Sequence, residues 1–228
     1  MNAIAEKLSE ALEVKTVFTI PIGDGIPISE SVVVMWGAMA VIVLISILLT
    51  RRLAIHPTSK RQMVAETIVT KLESFVVGMT GERARSYAPY LITVLLFLGV
   101  SNLVGLFGFK PPTKDLSVTA ALALMSILLI EYAGIREKGV KKWLKAFTQP
   151  TPIITPINIL ELVIRPLSLC MRLFGNVLGA FIIMEMIKML IPAVAPVPLS
   201  LYFDIFDGLI QAYIFVFLTS LFIQEAVE

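Results

Sequence analysis

Cysteine, histidine and charged residues are scarce in this chain of 228 residues. The single cysteine, Cys170, excludes an intrachain disulfide, and with His56 as the single histidine a metal site built from these residues is not expected. Charged residues make up only 16% of the chain, against about 25% in ordinary soluble domains. The formal net charge of +2 gives no reason to expect a nucleic-acid partner. We expect neither a metal nor another cofactor.

Hydrophobic residues, in contrast, make up 57% of the chain, and the mean hydropathy is +0.88. This composition predicts an integral membrane protein of the all-α class. Five apolar segments are long enough to cross a hydrocarbon core of about 30 Å, which takes roughly 20 helical residues. We see no internal repeat and expect one membrane domain over residues 1–228. The predicted spans are Ser31–Thr50, Ala88–Phe109, Ser117–Ala133, Ile157–Ile191 and Leu199–Ile223.

Lysine and arginine predict how the chain crosses the membrane. The connections 51–86 and 134–148 hold 12 of the 19 basic residues, and basic connections lie on the cytoplasmic side. The external N-terminal segment, 1–30, carries only two lysines and the segment 192–198 carries none. The N-terminus is therefore expected outside the cell and the C-terminus in the cytoplasm.

The first cytoplasmic connection contains an amphipathic pattern. Its apolar residues recur at helical spacing, and its charged residues lie elsewhere around the axis. We expect a helix that lies along the inner membrane surface, and a cytosolic helix that faces a partner is the alternative. The apolar positions are Val64, Ile68, Leu72, Phe75, Val76 and Met79.

The fourth span is too long to stand upright in a bilayer. About 35 residues give roughly 52 Å of helix, so this span must tilt or bend, and Pro166 offers a place for a bend. Together with the fifth span it is expected to form a long tilted hairpin that turns near Ala195.

Arg172 places a permanent charge within this apolar span. Arginine stays protonated at any accessible pH, and a charge near the bilayer centre costs roughly 3 kcal/mol on insertion scales. Arg172 belongs to a polar stripe whose members are three or four residues apart and therefore share one face. The stripe predicts a functional surface that another helix approaches, and packing inside the same chain is the alternative. Its members are Glu161, Arg165, Ser168, Arg172, Asn176 and Gly179.

Carboxylates gather toward the outer ends of the last two spans. Asp204, Asp207 and Gln211 are three and four residues apart on the fifth span, and the hairpin is expected to place Glu185 at nearly the depth of Asp204. A structural interpretation is also open. Negative charge favours the first turns of a helix, and Glu185 can pair with Lys188 at i+3.

The run PLSLCMRLFGNVLGA, at residues 166–180, resembles the signature of subunit a of the F-type ATP synthase, in which an arginine followed by LFGN is the hallmark. Three further runs extend the likeness: SNLVGL at 101–106, PTKDLSVTAALAL at 112–124 and IQAYIF at 210–215. With the five-span topology, the resemblance covers nearly everything after the first thirty residues.

The resemblance implies a non-catalytic stator that passes protons or sodium ions through two half-channels to and from carboxylates of a rotating c-ring, which couples ion flow to ATP synthesis. It implies that Arg172 separates the half-channels, that Asn176 and Gln211 lie near it, and that Ser168 lies on the inner path. Glu161 is a further candidate for ion translocation. The implied partners are the c-ring, the peripheral-stalk subunit b and the lipid bilayer.

Two positions depart from the pattern of proton-translocating relatives. Phe181 stands where these often have a titratable group, and Asp204 stands where some have histidine. The outer path is therefore expected to run through Asp204, Asp207 and Glu185.

Two other classes of protein compete with this interpretation. A secondary transporter could bind an anionic substrate near Pro166 and Arg172, but no repeated halves are visible. An intramembrane protease could use a histidine within the membrane, but His56 lies in a loop. We expect a multi-pass protein of a bacterial plasma membrane.

Overall fold

The computed structural model describes residues 16–21, 26–51, 59–148, 152–190 and 196–227. In this part of the chain the fold is helical, apart from one small antiparallel hairpin that the sequence did not predict. Its strands are β1 (Thr16–Ile20) and β2 (Ile26–Ser29). The predicted turn near Ala195 and His56 lie outside the described residues.

Long apolar helices make up most of the described chain. Short 3₁₀ turns, at Glu82–Tyr87 and Val104–Phe107, flank the helix Ala88–Leu103. Along the last span, the helix Pro196–Ser200, a π-helical segment (Leu201–Asp207) and the helix Gly208–Val227 follow one another without a break. The α-helices are α1 (Glu30–Thr50), α2 (Lys60–Thr80), α3 (Ala88–Leu103), α4 (Leu116–Lys138), α5 (Val140–Ala146), α6 (Thr155–Leu190), α7 (Pro196–Ser200) and α8 (Gly208–Val227).

Within the described part of the chain, five helical segments have the length and apolar composition needed to cross a membrane, which confirms the five predicted spans and the all-α membrane class. The fourth, predicted as Ile157–Ile191, is the single helix α6, and it continues through Pro166. The fifth was expected to be regular α-helix, and this was wrong for Leu201–Asp207. There the Gly208 N–H donates to the carbonyl of Phe203, five residues back, which is the π pattern.

The chain divides into two compact units, and the expected single domain stays a prediction. The first unit comprises the described residues of Met1–Ile42, Phe97–Thr119 and Met171–Ala212. The second comprises those of Val43–Leu96, Ala120–Cys170 and Tyr213–Glu228.

In the second unit, apolar side chains from four helices form the core. These side chains are at most 1% exposed, so their burial supplies most of the packing energy available there. Tyr90 Oη and Ser126 Oγ share a hydrogen bond of 3.2 Å between α3 and α4. The buried residues are Val76 of α2, Leu91 of α3, Ile130 of α4, and Val216 and Ile223 of α8.

Helix α2 carries the predicted amphipathic pattern. Val64, Ile68 and Phe75 are exposed, while Ala65 and Val76 are buried within the unit. The exposed apolar positions fit a helix that lies against a membrane surface.

In the first unit, Asn102 connects three segments of the chain. Its Nδ2 donates to the carbonyl oxygen of Gly208 at 2.8 Å, and its Oδ1 accepts from Thr113 Oγ1 at 2.8 Å. Asn102 is 3% exposed and Thr113 is fully buried. A Cβ at Gly208 would lie 2.9 Å from Asn102 Cβ, so glycine is what permits the close approach. This contact joins the end of α3 to the last span beside the π segment.

Asp115 caps the start of α4. Asp115 Oδ1 accepts from the Ser117 N–H at 3.0 Å, and the Asp115 carbonyl accepts from the N–H groups of Val118 and Thr119. The 110–115 connection is therefore held at two points, by this cap and by the bond from Thr113 to Asn102.

We predict that Asn102→Ala lowers the free energy of unfolding by roughly 2–4 kcal/mol, because it leaves one buried acceptor and one buried donor without a partner. Denaturant unfolding in mixed micelles measures this change. Thr93→Val removes an exposed hydroxyl that bonds within its own helix and serves as the control, with an expected change within about 0.5 kcal/mol. Equal stability of the two variants would contradict the connecting role of Asn102.

Candidate functional site

A cavity with apolar walls and several charged side chains lies within the first unit. It has a volume of about 370 Å³ and is bounded by the end of α3 with the connection after it, by the later part of α6, and by the last span. All three carboxylates that the sequence assigned to an outer path line this cavity: Glu185, Asp204 and Asp207. Two lysines, Lys110 and Lys188, line it as well.

The π segment carries both aspartates. Asp204 and Asp207 lie within Leu201–Asp207, where the wider helical turn changes the angle between side chains three residues apart. Gln211 follows in α8, is 6% exposed, and is not among the described residues that line the cavity. Asp204, Asp207 and Gln211 were expected to share one face of a regular α-helix. The structure does not show this regular spacing, because Asp204 and Asp207 lie in the π segment.

A glycine makes room for the Asp204 carboxylate. A Cβ built on Gly105 would lie 2.5 Å from Asp204 Oδ1, which is closer than a real Cβ comes to another atom. Gly105 follows Asn102 by one helical turn and also lines the cavity. The carboxylate therefore rests against the backbone of the 3₁₀ turn after α3.

Ion pairs distinguish the three carboxylates. Glu185 accepts a hydrogen bond from Lys188 Nζ at 2.8 Å, which is the pairing that the structural interpretation allowed. Lys110 pairs with Glu30 of α1 at 3.4 Å. Asp204 and Asp207 form no ion pair with any residue that the structure describes. These two aspartates are therefore the carboxylates of this cavity with charge available to a mobile cation.

Arg172 lies on a different surface from the cavity lining. Arg172 and Asn176 are exposed on α6, and no hydrogen bond or ion pair joins Arg172 to another described residue. Its neighbour Met171 is 48% exposed. Gly175, also exposed, has nothing within 4 Å of an added Cβ. An unpaired guanidinium thus lies on an open, mostly apolar face of a membrane-spanning helix.

In the second unit, Arg165 binds two glutamates. Its Nη2 is 3.0 Å from Glu161 Oε2 and 2.8 Å from Glu225 Oε1, and its guanidinium lies 5.0 Å from the ring centroid of Phe222. Ser168 is exposed in the same unit. Glu161 was predicted from the sequence as a candidate residue. Glu225 was not predicted, and it lies 60 residues from Arg165 along the chain.

These ion pairs line a second cavity, of about 310 Å³, within the second unit. Trp143 Nε1 of α5 donates to Glu131 Oε2 there at 2.8 Å, and Asn158 Nδ2 donates to the carbonyl oxygen of Phe147 at 2.9 Å. Side chains from α4, α5, α6 and α8 therefore meet around one polar space.

Several residues of the first cavity were not predicted from the sequence. Asn102 and Gly105 lie near the end of the second span, in the run SNLVGL, and Lys110 lies in the connection after it. A side chain that acts through a tertiary contact leaves no spacing pattern in the sequence.

The fold and the two sites define a polytopic membrane protein with carboxylate-lined cavities within its units and an unpaired arginine on a membrane-spanning face. The sequence model of the family described as ATP synthase A chain matches residues 32–224. This chain belongs to that family.

Relatives of this chain carry the same description. It is 38% identical to ATP synthase subunit a 2 of Bradyrhizobium sp. over 203 residues, which cover 89% of this chain and 90% of the relative. It is 38% identical to ATP synthase subunit a 1 of Hahella chejuensis, over 88% of this chain and 85% of that protein. It is 35% identical to ATP synthase subunit a of Moorella thermoacetica, over 89% of this chain and 93% of that protein. The resemblance seen in the sequence is confirmed, and the transporter alternative is not favoured.

We predict that Asp204→Cys and Asp207→Cys react with a small cationic thiol reagent, because both positions line the cavity of the first unit. The wild-type chain serves as the unlabelled control, because its one cysteine, Cys170, is buried. Val216→Cys is the matched control, because Val216 is fully buried. The measurement is the rate of labelling in membranes. Rates at positions 204 and 207 as low as that of Val216→Cys would contradict the cavity.

Proposed function

We propose that this chain is the ion-translocating stator subunit of an F-type ATP synthase, which passes protons or sodium ions to and from carboxylates of a rotating c-ring. It has no catalytic site of its own. The observation that carries the proposal is the exposed, unpaired guanidinium of Arg172 on an apolar helix of a chain that belongs to the ATP synthase A chain family.

Arg172 supplies the electrostatic step. A bare guanidinium facing lipid costs several kcal/mol, whereas one facing a carboxylate of another chain is compensated. Within about 4–6 Å the arginine favours the ionised carboxylate and lowers its pKa. A ring carboxylate that reaches Arg172 therefore releases its ion. The same fixed charge repels a cation that moves directly between the two half-channels.

The outer half-channel is the cavity of the first unit. Asp204 and Asp207 offer a cation two carboxylates without an ion pair among the described residues, and Glu185 contributes a carboxylate already held by Lys188. Negative charge at low-dielectric walls concentrates cations from the adjacent solution. A cation that passes through this cavity therefore loses its hydration water in steps before it reaches the ring.

The inner half-channel runs past Ser168 and the polar space around Glu161. Arg165 holds Glu161 and Glu225 at 3.0 and 2.8 Å, so its charge offsets one of the two carboxylates and the group keeps one net negative charge. Ser168 is an exposed polar group on the way to Arg172. A hydroxyl both donates and accepts hydrogen bonds, which suits the passage of a proton or of a partly hydrated ion.

The orientation follows from the basic residues. With the connections 51–86 and 134–148 in the cytoplasm, the N-terminus lies outside and the C-terminus inside. The partners are the c-ring at the Arg172 surface, the peripheral-stalk subunit b and the surrounding lipid. The location is the plasma membrane of a bacterium.

We predict that Arg172→Ala abolishes ATP-driven ion uptake into inverted vesicles and that Arg172→Lys retains only a small part of it. Lysine keeps the charge but lacks the planar, delocalised guanidinium. Lys142→Ala, which removes an exposed cation outside the spans, is the control and should pump at the wild-type rate. With assembly of the complex verified, normal pumping by Arg172→Ala would refute the proposal.

For the outer path we predict that Asp204→Asn and Asp207→Asn each slow ion uptake and that the double variant slows it most. Amides keep the shape of the carboxylates and remove the charge that attracts a cation. A loss of roughly tenfold in the double variant corresponds to about 1.4 kcal/mol of lost interaction. Glu137→Gln, which removes an exposed carboxylate that lines neither cavity, is the control and should leave the rate unchanged. An unchanged rate in the double variant would place the outer path elsewhere.

A further inference from the structure

The short helix α5, in the second unit, has an exposed surface that the proposed function does not use. Its sequence is VKKWLKA. At 3.6 residues per turn, Val140 and Leu144 share one side of the helix, and both are 56% exposed. The three lysines lie on the other side of the axis and are exposed as well: Lys141, Lys142 and Lys145. An isolated helix of this length is not stable in water, so α5 depends on the contacts that hold it.

Two contacts fix which side of α5 faces the protein. Trp143 Nε1 donates to Glu131 Oε2 of α4 at 2.8 Å, and the indole lies beside Gly134, where an added Cβ would be 3.4 Å from Trp143 Cδ1. Directly after the helix, the Phe147 carbonyl accepts from Asn158 Nδ2 of α6 at 2.9 Å. The Phe147 ring lies edge-on to the indole, with the ring centroids 4.9 Å apart. The protein therefore holds α5 by its Trp143 side and leaves the other two sides open.

Helix α5 begins at the end of a membrane-spanning helix. The span α4 ends at Lys138 and α5 starts at Val140, so Gly139 alone connects them. Its φ of +76° is a backbone conformation that glycine adopts without strain. The end of a span lies where the hydrocarbon core meets the headgroup layer. A helix that follows after one residue and is tied back to the last turns of that span lies at the same level.

The charges of α5 complement an anionic surface. Within the described part of the chain, no ion pair joins Lys141, Lys142 or Lys145 to a carboxylate. A lysine stem packs along apolar surface while its ammonium group stays in the polar layer. Apolar side chains flanked by lysines are the arrangement of helices that bind at a bilayer surface. Both the charge and the direct connection to a span favour lipid over a protein as the occupant of this surface.

We propose that α5 binds anionic phospholipid: Val140 and Leu144 enter the boundary of the acyl chains, and Lys141, Lys142 and Lys145 bind phosphate headgroups. In the orientation proposed above, the bound leaflet is the inner one. Each lysine near an anionic membrane surface adds to the attraction. The inference concerns the attachment of α5 to the membrane, and it does not depend on ion translocation.

The test uses the full chain in lipid vesicles and measures the fluorescence of Trp143. The chain has two tryptophans, so Trp36→Phe provides a background in which Trp143 is the only indole. Bromine on an acyl chain quenches an indole at short range. One set of vesicles contains brominated phosphatidylglycerol with plain phosphatidylcholine, and the other contains the reverse, at equal mole fractions. The ratio of the two quenching efficiencies gives the enrichment of the anionic lipid at α5.

We expect phosphatidylglycerol to be enriched roughly threefold to tenfold at Trp143. Salt at about 1 M should reduce this enrichment, because it screens the lysines. Replacement of the three lysines of α5 by glutamine should abolish the preference, so that the two lipids quench equally. Replacement of the same three by arginine keeps the charge and should keep the enrichment.

The matched control removes three exposed cations from the connection 51–86: Lys60→Gln, Lys71→Gln and Arg83→Gln. It loses the same net charge and should keep the enrichment at Trp143. Equal quenching by the two lipids in the unsubstituted background, or an enrichment that falls equally in both glutamine variants, would overturn the inference. Quenching by neither lipid would also overturn it, because α5 would then lie in the aqueous phase, where its surface fits a protein partner.

Discussion

The free energy of placing a guanidinium in an apolar environment constrains this protein more than any other single term. Arg172 cannot lose its proton, and no described residue of its own chain pairs with it. The described residues therefore supply no compensation for this charge, and in the proposed stator a carboxylate of a neighbouring protein supplies it. In a stator that faces a ring of carboxylates, the cost of this charge becomes useful, because each arriving carboxylate is driven to its ionised form.

Several other charged side chains differ in whether an ion pair compensates them. Arg165, Lys110 and Lys188 are each paired with glutamates at 2.8–3.4 Å, so their positive charges have partners within the chain. Asp204 and Asp207 are held in place by backbone features instead: the π segment, the close approach of Gly105, and the bond from Asn102 to Gly208. The chain thus positions two aspartates without neutralising them.

The sequence predicted what depends on composition and spacing, and it could not predict what depends on contacts between distant segments. The five spans and the amphipathic pattern of α2 follow from apolar length and helical period. The pair Arg165–Glu225 and the contact of Asn102 with Gly208 join residues 60 and 106 positions apart. The π segment escaped prediction because its sequence, LYFDIFD, suits an α-helix equally well. Assignment of Asp204, Asp207 and Glu185 to one outer group came from hairpin geometry, and all three line one cavity.

The separation of two half-channels by the charge of Arg172 is the central claim, and passive ion conductance through the assembled membrane sector, without ATP turnover, tests it most directly. The sector is reconstituted in vesicles with wild-type or Arg172→Ala chain at equal content of ring and stator. The account predicts a higher passive ion flux for Arg172→Ala, because the charge that keeps a cation from crossing between the half-channels has gone. A flux equal to that of wild type, with the sector intact, would contradict it.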